Sequence, residues 1–243
     1  MCIRSRFGPI QSWMIRPTFL TRRAMQVAGG VILGTAAFLW MSYGSLPWLL
    51  PVHFKPNGRP NGWQYKTLGR VMMPVGVQMV LALTLGGIGA LLLSRRDRSR
   101  EANTPDAKTA AIAAETVALI ALIWVAFQGY AAITLVRMWR TGQPGLGAGY
   151  PLVAAVGLLL TVIVGIQAQI RLGRPQPGRD IPGHWRLGHL YCNAENPALF
   201  VPTRNGSHWT LNFGRPAAVA LLGAILAAGV AMPTAILILA LRY

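Results

Sequence analysis

Acidic side chains are scarce in this chain. Asp97, Glu101, Asp106, Glu115, Asp180 and Glu195 are the full set, six against 23 Lys and Arg in 243 residues. No two of them stand at a spacing useful for general acid–base work, and HExxH, a serine nucleophile elbow and a phosphate loop are all missing. The expectation is a protein that is not an enzyme and needs no cofactor. Cysteine is nearly absent as well. Cys2 and Cys192 provide no disulfide framework, and His184, His189 and Cys192 lack a recognised four-ligand zinc spacing. No metal site is expected. Charge of either sign is low, 12% of residues, against about 25% in soluble proteins.

What the chain has instead is apolar length. It is 53% hydrophobic with a mean hydropathy of +0.43. Five segments, roughly 24–46, 71–93, 109–136, 149–170 and 217–241, reach the ~20 apolar residues that a bilayer crossing needs. The net charge of +17 would suit a nucleic-acid partner if the basic residues clustered on one soluble face. Here they flank the apolar runs, so the expected partner is the lipid bilayer and not nucleic acid.

The basic residues also orient the chain. Five lie in the N-terminal segment, five in 94–108 and six in 171–216, whereas Lys55, Arg59, Lys66, Arg70, Arg137, Arg140 and Arg242 fall on the other side. The positive-inside rule then predicts a multi-pass cell-membrane protein with its N-terminus cytoplasmic and its C-terminus extracytoplasmic. Thr21-Arg22-Arg23 has no cleavage pattern after it and reads as the approach to a retained first helix. The fold class expected is all-α membrane: a five-helix transmembrane bundle with a small cytoplasmic β-hairpin insert. Its parts are a basic leader (1–23), a first helix pair (24–93) with an extracytoplasmic loop over 46–70, third and fourth helices (94–170), the insert (171–216) and a fifth helix (217–243).

Within the bundle, Gly30-Val-Ile-Leu-Gly34 and Gly86-Gly87-Ile-Gly89 are small-residue packing patterns, and Pro233 should kink the fifth span. Glu115 is the one acid inside a span, and burying a carboxylate there is costly enough to mark it as a functional candidate. At its depth the other spans offer Gly30, Gly87, Gly165 and Gly223 and no cation, with Gln167 as the expected amide donor.

The stretch "LPWLLPVHFKPNGRPNGWQYK" (46–66) holds no acid and four prolines, which exclude a regular helix. Asn57-Gly58 and Asn61-Gly62 are turn dipeptides, and Trp48, Trp63 and Tyr65 suit the headgroup level of a bilayer. A proline-stiffened lid over the outer helix ends is one reading. His53, the one imidazole of the stretch, opens a ligand-contacting one. The candidate ligand-binding residues are His53, Asn57, Asn61, Trp63 and Lys66.

Leu46, Pro47, Pro51, His53, Phe54, Gly58, Pro60, Trp63 and Lys66 together resemble the motif of the domain of unknown function 1648. Asn61 stands where that pattern has Asp, so Lys66 must find a partner other than a carboxylate. The domain occurs in SDP-toxin immunity proteins, and the resemblance implies a bacterial membrane protein of envelope sensing or peptide-toxin immunity, with a peptide or a signalling protein as partner. The alternative is a small transporter or transport accessory using Glu115.

In the insert, Leu199–Val201 and Trp209–Phe213 have strand-like residues around the turn dipeptide Asn205-Gly206. Trp185, Gly188, Tyr191 and Asn193, then Pro197, Phe200, Val201, Pro202, Arg204 and Gly206, then Leu211, Asn212, Phe213, Gly214 and Pro216, resemble the domain of unknown function 5808. That resemblance implies a small module attached to membrane helices, with no chemistry assigned to it.

Overall fold

The computed structural model describes residues 15–55, 59–93, 107–143, 145–173, 182–196, 198–204 and 209–226. Among these residues four helices are long and apolar enough to cross a membrane: α1 (Phe19–Ser42), α3 (Met73–Leu93), α4 (Ala107–Thr141) and α5 (Gly149–Leu172). The protein is a multi-pass membrane protein by that length and composition. The fifth expected span begins as α6 (Pro216–Leu226), and its continuation, with Pro233, lies outside the described residues. So do Asn57, the Asn205-Gly206 turn and most of the basic leader.

The helices form because nothing interrupts them. Their residues are mostly Ala, Leu, Val and Ile, whose polar backbone is satisfied internally, as lipid demands. Helix α4 is central. It packs on α1, α3 and α5, and 44% of its apolar stretch is buried against 6% for α5. Helix α5 is therefore peripheral, and its exposed Leu152, Leu158, Leu159 and Ile166 are what a lipid-facing surface requires.

Of the expected packing glycines, Gly86 lies against Met25, its Cβ position 3.2 Å from Cε, and Gly89 approaches the Ala114 carbonyl oxygen at 4.0 Å, whereas a Cβ on Gly30, Gly34 or Gly87 would meet nothing within 4 Å. At Gly129 of α4 it would meet Thr35 Oγ1 at 3.2 Å, Val31 Cγ1 at 3.3 Å and Gln78 Nε2 at 3.5 Å. That site, where α1, α3 and α4 converge, is the close approach that small residues allow in membranes.

The chain is not all helix. Between α1 and α3 the segment 46–66 forms a hairpin, β1 (Leu49–Phe54) with β2 (Pro60–Tyr65), followed by a short helix α2 (Leu68–Val71). Prolines forbid a helix here but not an edge strand, and a two-stranded ribbon consists only of edges. The insert holds two more hairpins in place of the one expected. One is β3 (Trp185–Arg186) with β4 (Leu190–Tyr191); the other is β5 (Phe200–Pro202) with β6 (Trp209–Leu211), the pairing expected from the strand-like residues. Both central residues of the first turn have positive φ, 52° at Leu187 and 77° at Gly188, as a primed hairpin turn needs.

Two cores mark opposite ends of the bundle. At the hairpin end, Leu50 packs with Leu39, Leu46, Val71, Val136 and Trp139. At the insert end, Leu199 packs with Ile88, Leu92, Ala114, Ala218 and Leu221. The insert is fastened by the fully buried Asn212. Its amide donates to the carbonyls of Asn193, Asn196 and Ala198 at 2.9–3.0 Å, and its Oδ1 accepts from the N–H of Asn193 and Gly214. Gly214 passes so close to Asn193 that a Cβ would fall 2.5 Å from its carbonyl carbon.

Candidate functional site

The hairpin is held rigidly from beneath. Helix α4 is about 52 Å long at 1.5 Å per residue, well over a 30 Å hydrocarbon layer. Its last turns therefore rise to the hairpin, where Trp139 Nε1 donates to the Pro51 carbonyl at 3.0 Å. Leu50, opposite Gln64 in the ladder, points into the core and is fully buried. Val52 and Phe54 pack on the same core.

The other face of the hairpin is open. Burial alternates along β2, with Asn61, Trp63 and Tyr65 exposed. Leu49 lies opposite Tyr65, and Pro51 opposite Trp63. Leu49 is 50% exposed, Trp63 53%, Tyr65 66% and the preceding Trp48 71%. Two large aromatics, Trp63 and Tyr65, with Leu49 and the Asn61 amide thus form one outward surface on a braced support.

His53 pairs with Gly62 at an irregularity in the ladder. A Cβ on Gly62 would lie 2.8 Å from His53 Cδ2 and 3.0 Å from its Cβ, so the imidazole lies against the bare glycine backbone. Asn61 is the residue skipped in the ladder between the His53–Gly62 and Phe54–Pro60 pairs. Among the described residues, no three His, Cys, Asp or Glu side chains gather closely enough to hold a metal ion.

Lys66 turns away from that surface. Its Nζ donates to the carbonyls of Tyr43 (3.2 Å) and Leu46 (3.0 Å), and lies 4.8 Å above the Tyr43 ring and 5.8 Å from that of Trp48. These are the partners that replace a carboxylate. The ammonium caps the C-terminal end of α1 and its 3₁₀ extension, where a cation is favoured.

Glu115 lies near the other end and is 4% exposed. The expectation that no cation reaches it is wrong. Arg171 Nη1 pairs with Glu115 Oε1, and Thr18 Oγ1 donates to Oε2 at 2.6 Å. The reason is the length of α5, which continues to Leu172 and carries Arg171 in its last turn. A guanidinium on three methylenes can snorkel between Glu115 and the interface, and the Arg171 side chain is accordingly 50% exposed. Thr18 also caps α1, its Oγ1 accepting from Thr21 N–H at 3.0 Å. Three helices are joined at one carboxylate.

One buried polar residue was not anticipated. Gln78 of α3 is fully buried, and its amide donates to Thr35 Oγ1 (3.1 Å) and to the Val125 carbonyl (2.9 Å). Its Oε1 has no donor among the described residues. An amide within an apolar run is the signal that would have found it, by the reasoning applied to Glu115.

Residues 30–77, from the middle of α1 through the hairpin into α3, match the family described as Domain of unknown function (DUF1648). Residues 194–219, from just past Asn193 through β5 and β6 into α6, match the Family of unknown function (DUF5808). The chain carries both domains. The first comprises the hairpin with the helix halves that bear it. The second match begins after β3 and β4, so Trp185, Gly188, Tyr191 and Asn193 lie outside it. No curated protein and no solved structure matches the chain.

Proposed function

We propose that this is a non-enzymatic membrane protein that recognises a peptide arriving at the extracytoplasmic surface, in envelope sensing or peptide-toxin immunity. The observation carrying this reading is the asymmetry of the hairpin. One face is sealed by Leu50 and the Trp139–Pro51 hydrogen bond, and the other presents Leu49, Trp63 and Tyr65 to solvent or lipid. Aromatics on a rigid support bind at low entropic cost. A two-stranded ribbon also keeps unpaired edges, to which an extended peptide can add as a further strand. The 30–77 match is compatible with an immunity role but does not specify one.

A transport role for Glu115 is less favoured, because both its carboxylate oxygens are already engaged, by Arg171 and Thr18. The test is a challenge of cells expressing the chain with secreted antimicrobial peptides. Trp63→Ala with Tyr65→Ala is expected to lower peptide binding at least tenfold, as loss of aromatic anchors does, and to abolish protection while thermal stability in detergent is retained. Protection untouched by this pair and by His53→Ala, together with a solute flux abolished by Glu115→Gln, would overturn the proposal in favour of transport.

A further inference from the structure

Beside the hairpin lies an open cleft of about 1110 Å³, bounded by the turn end of the ribbon, the connection after α4 and the first turns of α5. Two kinds of wall meet in it. At its mouth are Lys55 and Arg59, both exposed. The hydrogen bond from Lys55 N–H to the Arg59 carbonyl (2.9 Å) closes the described end of the ladder and brings the two cations to one place. No acid lines the cleft among the described residues.

The second wall is a stripe of α5. Pro151, Ala154, Ala155 and Leu158 line the cleft at positions i, i+3, i+4 and i+7, one face of a helix. The stripe is about 10 Å long at 1.5 Å per residue. It belongs to the most peripheral of the four spanning helices, and Leu158 is 58% exposed. A paired cationic end thus leads onto an apolar stripe that runs along a helix long and apolar enough to span a membrane. The small side chains of Ala154 and Ala155 leave the groove its width.

We propose that this cleft is a specific site for an anionic phospholipid of the leaflet on the hairpin side, its phosphate held between Lys55 and Arg59 and one acyl chain lying along 151–158. Charge complementarity selects the sign of the headgroup, and the apolar stripe selects a membrane-resident ligand over a soluble anion. The site is separate from the outward aromatic face, so it stands whether or not a peptide binds there.

The experiment uses the full chain in nanodiscs of mixed phosphatidylglycerol and phosphatidylcholine, with native mass spectrometry counting the lipid that remains bound. One phosphatidylglycerol should be retained in at least tenfold preference to phosphatidylcholine, and the same lipid should raise the melting temperature where glycerol phosphate does not. Each cation beside an anionic headgroup is worth about fivefold in affinity, so Lys55→Gln with Arg59→Gln should erase the preference. Ala155→Trp, which fills the groove and leaves the cations, should lower retention of both lipids, with melting in phosphatidylcholine alone reporting that it is folded. If Ala155→Trp does not fold, the charge variant decides. Equal retention of the two lipids by the unaltered chain, or an unchanged preference in the charge variant, overturns the proposal.

Discussion

Gly62 occupies a place where a methyl group has no room, with His53 Cδ2 2.8 Å from where it would sit. Gly62→Ala is expected to destabilise the hairpin by about 1–3 kcal/mol, the usual cost of overpacking. Pairing it with His53→Ala should recover most of that loss, because only the Cβ contact at 3.0 Å remains. A double-mutant cycle read by thermal melting checks this, and strict additivity would contradict it. Gln78 makes the opposite case. Its two hydrogen bonds are worth about 0.6 kcal/mol each by membrane-protein averages, and its orphaned Oε1 opposes them. Gln78→Leu should therefore change stability by less than about 1 kcal/mol, whereas Gln78→Ala leaves a cavity and should cost about 2–4 kcal/mol. Both residues show what a sequence hides at this scale. Asn61-Gly62 reads as a turn dipeptide, but both residues lie within β2, and the clash partner of Gly62 becomes a neighbour only once the ribbon pairs. Arg171 is legible as a flanking charge, yet its reach back to Glu115 depends on α5 running two residues past the expected end.

At the scale of elements, the four spanning helices were legible because apolar runs of that length have few alternatives. The β5–β6 ribbon was legible from its residue types and turn dipeptide. The β1–β2 ribbon was not, because Pro51 and Pro60 argue against strands in general and permit them only on edges. The β3–β4 ribbon was missed for another reason: its strands are two residues long, and its turn places a leucine at positive φ, which few L-residues adopt. The insert depends on Asn212, whose removal would leave the carbonyls of Asn193, Asn196 and Ala198 without that donor. Each buried unsatisfied group costs about 1–3 kcal/mol. Asn212→Ala should therefore loosen 182–215 while the helices persist. Limited proteolysis would then cut within the insert of the variant and spare α3–α5; cleavage unchanged from the parent protein would contradict this account of the clasp.

At the scale of the whole molecule, the arrangement is a bundle with a polar device at each level. Lys66 closes the hairpin end, Gln78 joins α1, α3 and α4 at Gly129, and Glu115 joins α1, α4 and α5 near the insert. The hairpin and the insert each pack on their own end of the bundle, so the account requires them on opposite faces of the membrane, with the hairpin outdoors by the distribution of Lys and Arg. The most direct measurement uses a background with Cys2→Ser and Cys192→Ser, carrying either Asn61→Cys or Leu187→Cys, both at exposed positions. A membrane-impermeant thiol reagent applied to intact cells should modify position 61 and reach position 187 only after permeabilisation. Modification of position 187 in intact cells, alone or together with 61, would contradict the account.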